Sequence, residues 1–294
     1  MSKENSNGPQ TQKKILENPF VGSLVVPIAI VLIGALVIFG ITKMLSSERS
    51  YRDLVEEIQS KTFGNKWVAA YELSKQINSA QIPQSEYPWM VANLTEAYNT
   101  SVDARTRGFI IAALGALKNE LTLPTISKAL ADQDIDVKFH ALVALGNMPK
   151  GIHFDWSPVL NFLNSDEIVL KQASILTLAT HQVPEAQALI GNLLNDKSTV
   201  IKYSAAMALI GYKHAAAIPL LKEILLSAYP AAVNRSASEV LDAQQIVNLK
   251  LGVMNTLVRV QWRELNETLL EVANKDTNNS VATKAREVLN LLKK

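Results

Sequence analysis

"DIDVKFHALVALGNM", residues Asp134 to Met148, opens on an acidic turn and continues as an apolar stripe. Val137, Ala141 and Leu145 stand four apart, the spacing that places side chains on one face of an α-helix. Lys138 sits beside Val137 at the head of that stripe. The same frame fits at Asn65/Ala69/Leu73, Thr106/Ile110/Leu114, Leu170/Ser174/Leu178, Ile201/Ala205/Leu209, Leu249/Val253/Leu257 and Val281/Ala285/Leu289. Leucine holds the third place throughout. The second place is mostly small, as expected where two helices approach closely. A basic residue follows the first place at Lys66, Arg107, Lys138, Lys171, Lys202 and Lys250, and Ala282 interrupts the series. The frames are 41, 31, 33, 31, 48 and 32 residues apart. A period in the low thirties is the signature of a solenoid of helix pairs.

Before several frames lies a second apolar helix opened by proline: "YPWMVANL", "LPTISKAL", "SPVLNFL", "VPEAQALI" and "IPLLKEIL". Proline suits the first helical turn, where its missing N–H costs nothing. Each unit therefore reads as helix A, a tight turn and helix B. The turns place Asp103, Asp134, Asp166 and Asp196 just before helix B, where acidic and hydroxyl side chains cap free N–H groups. A carboxylate in one unit's turn can also face the basic residue of its neighbour. Lys138, Lys171 and Lys202 with Asp134, Asp166 and Asp196 are read as such a structural ladder, with a ligand-facing basic row as the other reading.

This pattern resembles HEAT repeats, whose second helix begins with a D-x-x-V-R-like sequence followed by an alanine- and leucine-rich stripe. The closest matches to it are "DIDVKFHALVALG" and "NDKSTVIKYSAAMALIG". Lysine replaces the family's arginine in most units, and units one, two and six are degenerate. The resemblance spans residues 50–294 and implies an all-α fold, an α-solenoid of about seven HEAT-like helix pairs. Because such arrays serve as scaffolds in many unrelated systems, the resemblance speaks to fold more than to function. A lyase-type enzyme is the catalytic alternative, since some HEAT-like proteins resemble chromophore lyases of phycobilisomes.

One transmembrane helix is expected before the array. No charge interrupts Asn18 to Thr42, and the apolar stretch Phe20–Ile41 is 22 residues long. As a helix it would span about 33 Å, enough for a hydrocarbon core of about 30 Å. A cleaved signal peptide would normally have a shorter apolar region ending at small residues, and no A-x-A-like site follows. The expected organisation is a polar, disordered tail (1–17), a transmembrane helix (18–45, core 20–41), a short linker (46–50) and the repeat domain (51–294). Lys13 and Lys14 flank one side of the span, and Lys43, Arg49 and Arg52 the other. That near tie leans towards the tail inside and the repeats outside, extracytoplasmic or periplasmic. An anchor followed by such an array resembles bacterial single-pass, membrane-tethered HEAT proteins.

The chain has 29 basic and 27 acidic residues, of which five and three lie before residue 50. Residues 50–294 thus hold 24 of each, a balance that argues against nucleic acid, whose binding runs on phosphate neutralisation. With no cysteine, disulfides, thiolate metal sites and cysteine nucleophiles are excluded. The P-loop, dinucleotide-binding, nucleophile-elbow and zincin motifs are all missing. The four histidines, His140, His153, His181 and His214, fall in different units. In the loop "PKGIHFDWSP", His153 and Asp155 offer two metal ligands without a third, and Trp156 reads as an aromatic covering the solenoid edge. No catalytic, metal or cofactor residue is expected.

Two features are candidates for partner contact. The 48-residue spacing contains an insertion, 227–243, with Tyr229, Asn234 and Arg235 near its turn-prone centre. An inert loop is the alternative. Trp67, Phe139 and Tyr203 each follow the basic residue of their frame and could form a row on the inner surface, or simply pack between B helices. The function expected is a membrane-anchored scaffold or adaptor that holds a protein, such as an accessory subunit of a transporter-like membrane complex. The alternative is a lyase-type enzyme or small-ligand binder using the concave groove.

Overall fold

The structure, a computed structural model, describes residues 49–60, 64–79, 82–230 and 241–293. Those residues form fourteen α-helices and no strand. In chain order they are α1 (Tyr51–Gln59), α2 (Lys66–Asn78), α3 (Tyr87–Thr100), α4 (Ala104–Ala116), α5 (Leu123–Ala129), α6 (Ile135–Gly146) and α7 (Ser157–Asn161). They continue as α8 (Ile168–His181), α9 (Ala186–Asn192), α10 (Thr199–Ile210), α11 (Ile218–Leu226), α12 (Ala243–Val260), α13 (Asn266–Lys275) and α14 (Asn279–Leu292). Odd-numbered helices are the A helices and even-numbered ones the B helices, giving seven pairs. Internal contacts divide the chain between Ser50 and Tyr51. The expected tail, membrane span and most of the linker, with Asn234 and Arg235 of the insertion, lie outside the described residues. Among the described residues no helix is long and apolar enough to cross a membrane.

The B helices stack in chain order, α2 on α4, α4 on α6, and so on to α12 on α14. The repeated frame supplies that interface. Leu73, Leu114, Leu145, Leu178, Leu209 and Leu257 are each completely buried, as are the small second-place residues Ala69, Ala141, Ser174, Ala205 and Ala285. Burying one leucine contributes about 1.5–3 kcal/mol, so each unit is held mainly by its neighbours. At the end of the array the pattern slips. In α14 Leu289 is half-buried and Val288 and Leu292 face inward instead.

The turns end as capped helices. Asp103 accepts the Thr106 N–H, Asp134 accepts those of Asp136 and Val137, and Asn278 accepts those of Ser280 and Val281. Asp242 and Gln245 form a reciprocal capping box that starts α12 after the insertion.

Helices α4 and α6 approach closely at Gly115. A Cβ on Gly115 would lie 2.5 Å from the Ala144 Cβ and 2.8 Å from its Cα, whereas one on Gly191 would meet nothing within 4 Å. Alanine gains about 1 kcal/mol over glycine in a helix. At Gly115 that gain is outweighed by overpacking, which costs about 1–3 kcal/mol and here falls at the upper end because backbone must move. Gly191→Ala is therefore expected to raise the urea midpoint and Gly115→Ala to lower it. Equal shifts would mean that the two helices do not touch there.

Candidate functional site: the B-helix face

At three of the six basic positions that head B helices, the side chain pairs with a carboxylate of the next unit. Arg107 pairs with Asp132 at 2.9 Å, Lys171 with Asp196 at 3.1 Å and Lys250 with Asp276 at 2.7 Å. Each carboxylate sits six residues before the basic position of its own frame. Each also accepts the N–H two residues on, from Asp134, Ser198 and Asn278. Ser101 and Ser165 hold the equivalent place in units two and four. Consequently the rungs join units two to three, four to five and six to seven, and the intervening steps carry none.

This differs from the continuous ladder expected from the sequence. Lys171 and Asp196 are joined, but Lys138, Lys202, Asp134 and Asp166 form no ion pair among the described residues. The reason is register. Asp134 stands four residues before the basic position, where helix capping already uses its carboxylate. Asp166 is likewise one place beyond Ser165, whose hydroxyl accepts the Glu167 N–H. The signal was present in the sequence as aspartate or serine at the sixth place back.

Two rungs are closed by tyrosine. The Tyr98 hydroxyl donates to Asp132 at 2.9 Å and the Tyr229 hydroxyl to Asp276 at 2.8 Å. The Lys250 ammonium lies 4.5 Å from the centre of the Tyr229 ring, and only 2% of its side chain is exposed. Tyr229, expected as a partner contact, thus closes an internal clamp between α12 and the turn before α14. Burial, and secondly the bond to the carboxylate, pushes both phenols up.

Bonds from the Arg107 guanidinium hold the Asp132 carboxyl down at about 2. A folded value below the unfolded one means stability that is fully present above about pH 4 and is lost as the pH falls towards 2. Asp132→Asn is therefore expected to flatten the fall of melting temperature between pH 4 and 2. An unchanged slope would show that this pair does not titrate with folding.

A second row runs along the exposed side of the first B helices. Trp67 lies 5.8 Å from Phe109, Phe109 lies 5.6 Å from His140, and Phe139 lies 5.9 Å from His140. The Arg105 guanidinium covers Trp67 at 3.6 Å, and Tyr71 meets Phe109 edge-on at 5.7 Å. Burial pushes His140 down and favours the neutral ring. The structure so connects Trp67 with Phe139 through two residues that the sequence reading left out of the row. It does not connect Tyr203, whose hydroxyl donates to Glu223 on α11 at 2.7 Å. At the other rim Trp156 stacks on His181 at 4.7 Å, and the His181 Nε2–H donates to the Leu145 carbonyl at 2.8 Å. Asp155 caps Ser157. Among the described residues no three metal-ligating side chains come together.

Further along, the same face carries exposed Val143, Val169, Leu176 and Val200. Among the cavities that open on it are these two. One of about 460 Å³ lies across α8, α10 and α12 and is floored by Leu176, Met207 and Val260. The other, of about 250 Å³, lies across α2, α4 and α6 and includes Asn78, Lys118, His140 and Asn147.

A pattern described as HEAT repeats matches residues 157–242, which run from α7 to the end of the insertion. Over that stretch the chain carries the HEAT-repeat pattern. Solved structures show a likeness of fold over most of the array. The YibA protein of Escherichia coli is 12% identical, over 84% of this chain and 83% of that one, with a TM-score of 0.55. The complex of CpcE and CpcF of phycocyanin lyase from Nostoc is 16% identical, over 84% of this chain and 95% of that one, with a TM-score of 0.56. At such identities the likeness is one of fold. No curated protein matches the chain. The matched stretch holds the stacked α8 and α10 and their exposed face.

Proposed function

We propose that this protein is a membrane-anchored HEAT scaffold whose B-helix face holds a protein partner, and that it is not itself an enzyme. The observation that carries the reading is the face itself. Large apolar side chains recur on it from Tyr71 through Val143 and Leu176 to Val200, with cavities between them. Stacking uses the buried frame and does not require those exposed groups. Recurrent apolar exposure on one surface favours a protein interface. The anchor is argued from the uncharged stretch 18–42, and it places the partner in or beside a membrane, as for an accessory subunit of a transporter-like complex. Orientation with the repeats outside is part of the same proposal.

The test is purification of the full tagged chain from membranes in mild detergent. Leu176→Glu is expected to lose a stoichiometric partner that the intact chain retains, while Leu270→Glu on α13 keeps it. Both leucines are about half exposed, 52% and 56%, so neither change should unfold the array. Loss of the partner in both variants, or in neither, would remove the B-helix face as the binding surface.

A further inference from the structure

Helices often end in a left-handed residue, and glycine is the unstrained choice there. Among the described residues four other than glycine take that conformation, Lys118, Gln182, Lys213 and Gln261, with φ between 50° and 52°. Each follows a B helix, in units two, four, five and six. Three of the four line the B-helix cavities, Lys118 the smaller and Gln182 and Lys213 the larger. The fold thus keeps long polar side chains at positions where glycine would relieve backbone strain, and at three of the four it keeps them at cavity rims.

The larger cavity has a one-sided charge. Lys150, Lys213 and Arg259 line it with no carboxylate among its walls. None of the three side chains has a hydrogen-bond or ion-pair partner among the described residues, although residues 50–294 are formally balanced. A cation near a helix C-terminus complements the helix dipole and needs no ligand. The dipole does not explain why cations from three units converge over an apolar floor of Leu176, Met207 and Val260.

We propose that the B-helix ends bind an acidic polypeptide segment, with carboxylates at the Lys150, Lys213 and Arg259 rim and an aliphatic side chain on the floor. This rests on the scaffold reading and gives its partner a chemistry. Length favours a polypeptide over a small anion. From Lys118 to Lys213 there are three B-helix steps, about 24–30 Å at the usual packing distance, which an extended segment of about 7–9 residues spans. The formal neutrality of the array and the apolar floor disfavour nucleic acid, whose affinity comes from phosphates.

The experiment is fluorescence anisotropy of a labelled nonapeptide of alternating glutamate and leucine, with the full chain in detergent micelles. Glutamine–leucine and lysine–leucine peptides serve as controls, and inorganic phosphate as competitor. Binding of the glutamate peptide is expected to weaken with salt and to exceed both controls at least tenfold. Lys213→Gly is expected to raise Tm by about 2–4 °C by removing strain, yet to weaken the peptide at least tenfold. Gln261→Gly removes the same strain outside the cavity, so it should raise Tm alike and leave binding unchanged. Arg259→Ala should weaken binding without the gain in Tm. Unchanged affinity in Lys213→Gly, equal binding of the glutamine peptide, or full displacement by phosphate would each overturn the proposal. If the glutamate peptide fails while Leu176→Glu still loses the native partner, the acidic chemistry is wrong and the scaffold reading stands.

Discussion

Asp276→Ala is expected to cost about 3–5 kcal/mol, the range for breaking a buried ion pair by removing one partner. The Lys250 ammonium is 2% exposed and the Asp276 carboxylate 3%. Without the carboxylate, that charge is left in the interior with only the Tyr229 ring beside it. Tyr229 loses its acceptor, and the turn before α14 loses the bond from the Asn278 N–H. The damage is concentrated where the last unit joins the sixth. Replacing both partners, Lys250→Met with Asp276→Leu, removes both buried charges together. That double variant should recover most of the loss. Lys138→Ala, at a step with no rung, should cost about 1 kcal/mol or less. Urea unfolding of the three variants checks the order. A double variant as damaged as the single one would mean that the clamp holds the units by more than its charge pair.

Leu145→Asp and Leu209→Asp should be more severe still. Both leucines are completely buried between successive B helices. Removing a leucine from such a core costs about 2–5 kcal/mol, and burying an unpaired polar group adds several more. Their sum approaches the whole stability of an ordinary domain, about 5–15 kcal/mol. In a stacked array the loss also spreads, because each unit is stable only through its neighbours. Circular dichroism at 222 nm should fall at 25 °C in either variant and stay intact in Lys202→Ala. A native spectrum in Leu145→Asp would overturn the assignment of the buried face.

Much of this architecture was legible in the sequence because stacking repeats one physical requirement. A leucine must return to the same interface each time, so Leu73 to Leu257 declare the B helices without reference to a fold. Proline at the start of α3, α5, α7 and α11 declares the A helices in the same way. The ladder was less legible. Aspartates four and six residues before the basic position look alike in sequence, yet one caps its own helix and the other reaches the preceding unit. Only the depth of the turn separates them. Tyr229 misled for a related reason. In sequence it belongs to a turn-prone insertion, but contact with Lys250 and Asp276 depends on how α11 ends against α12. The larger cavity has no local signature at all, since Lys150, Lys213 and Arg259 are brought together from three units.

The claim that the B-helix face is the working surface is tested most directly by site-specific photocrosslinking in intact membranes. A photoreactive residue is placed at Leu176 or Met207 on that face, and at Leu189 or Leu270 on A helices. Adducts of one discrete mass are expected from Leu176 and Met207 and not from Leu189 or Leu270. Adducts confined to the A-helix positions, or none at any of the four, would contradict the account.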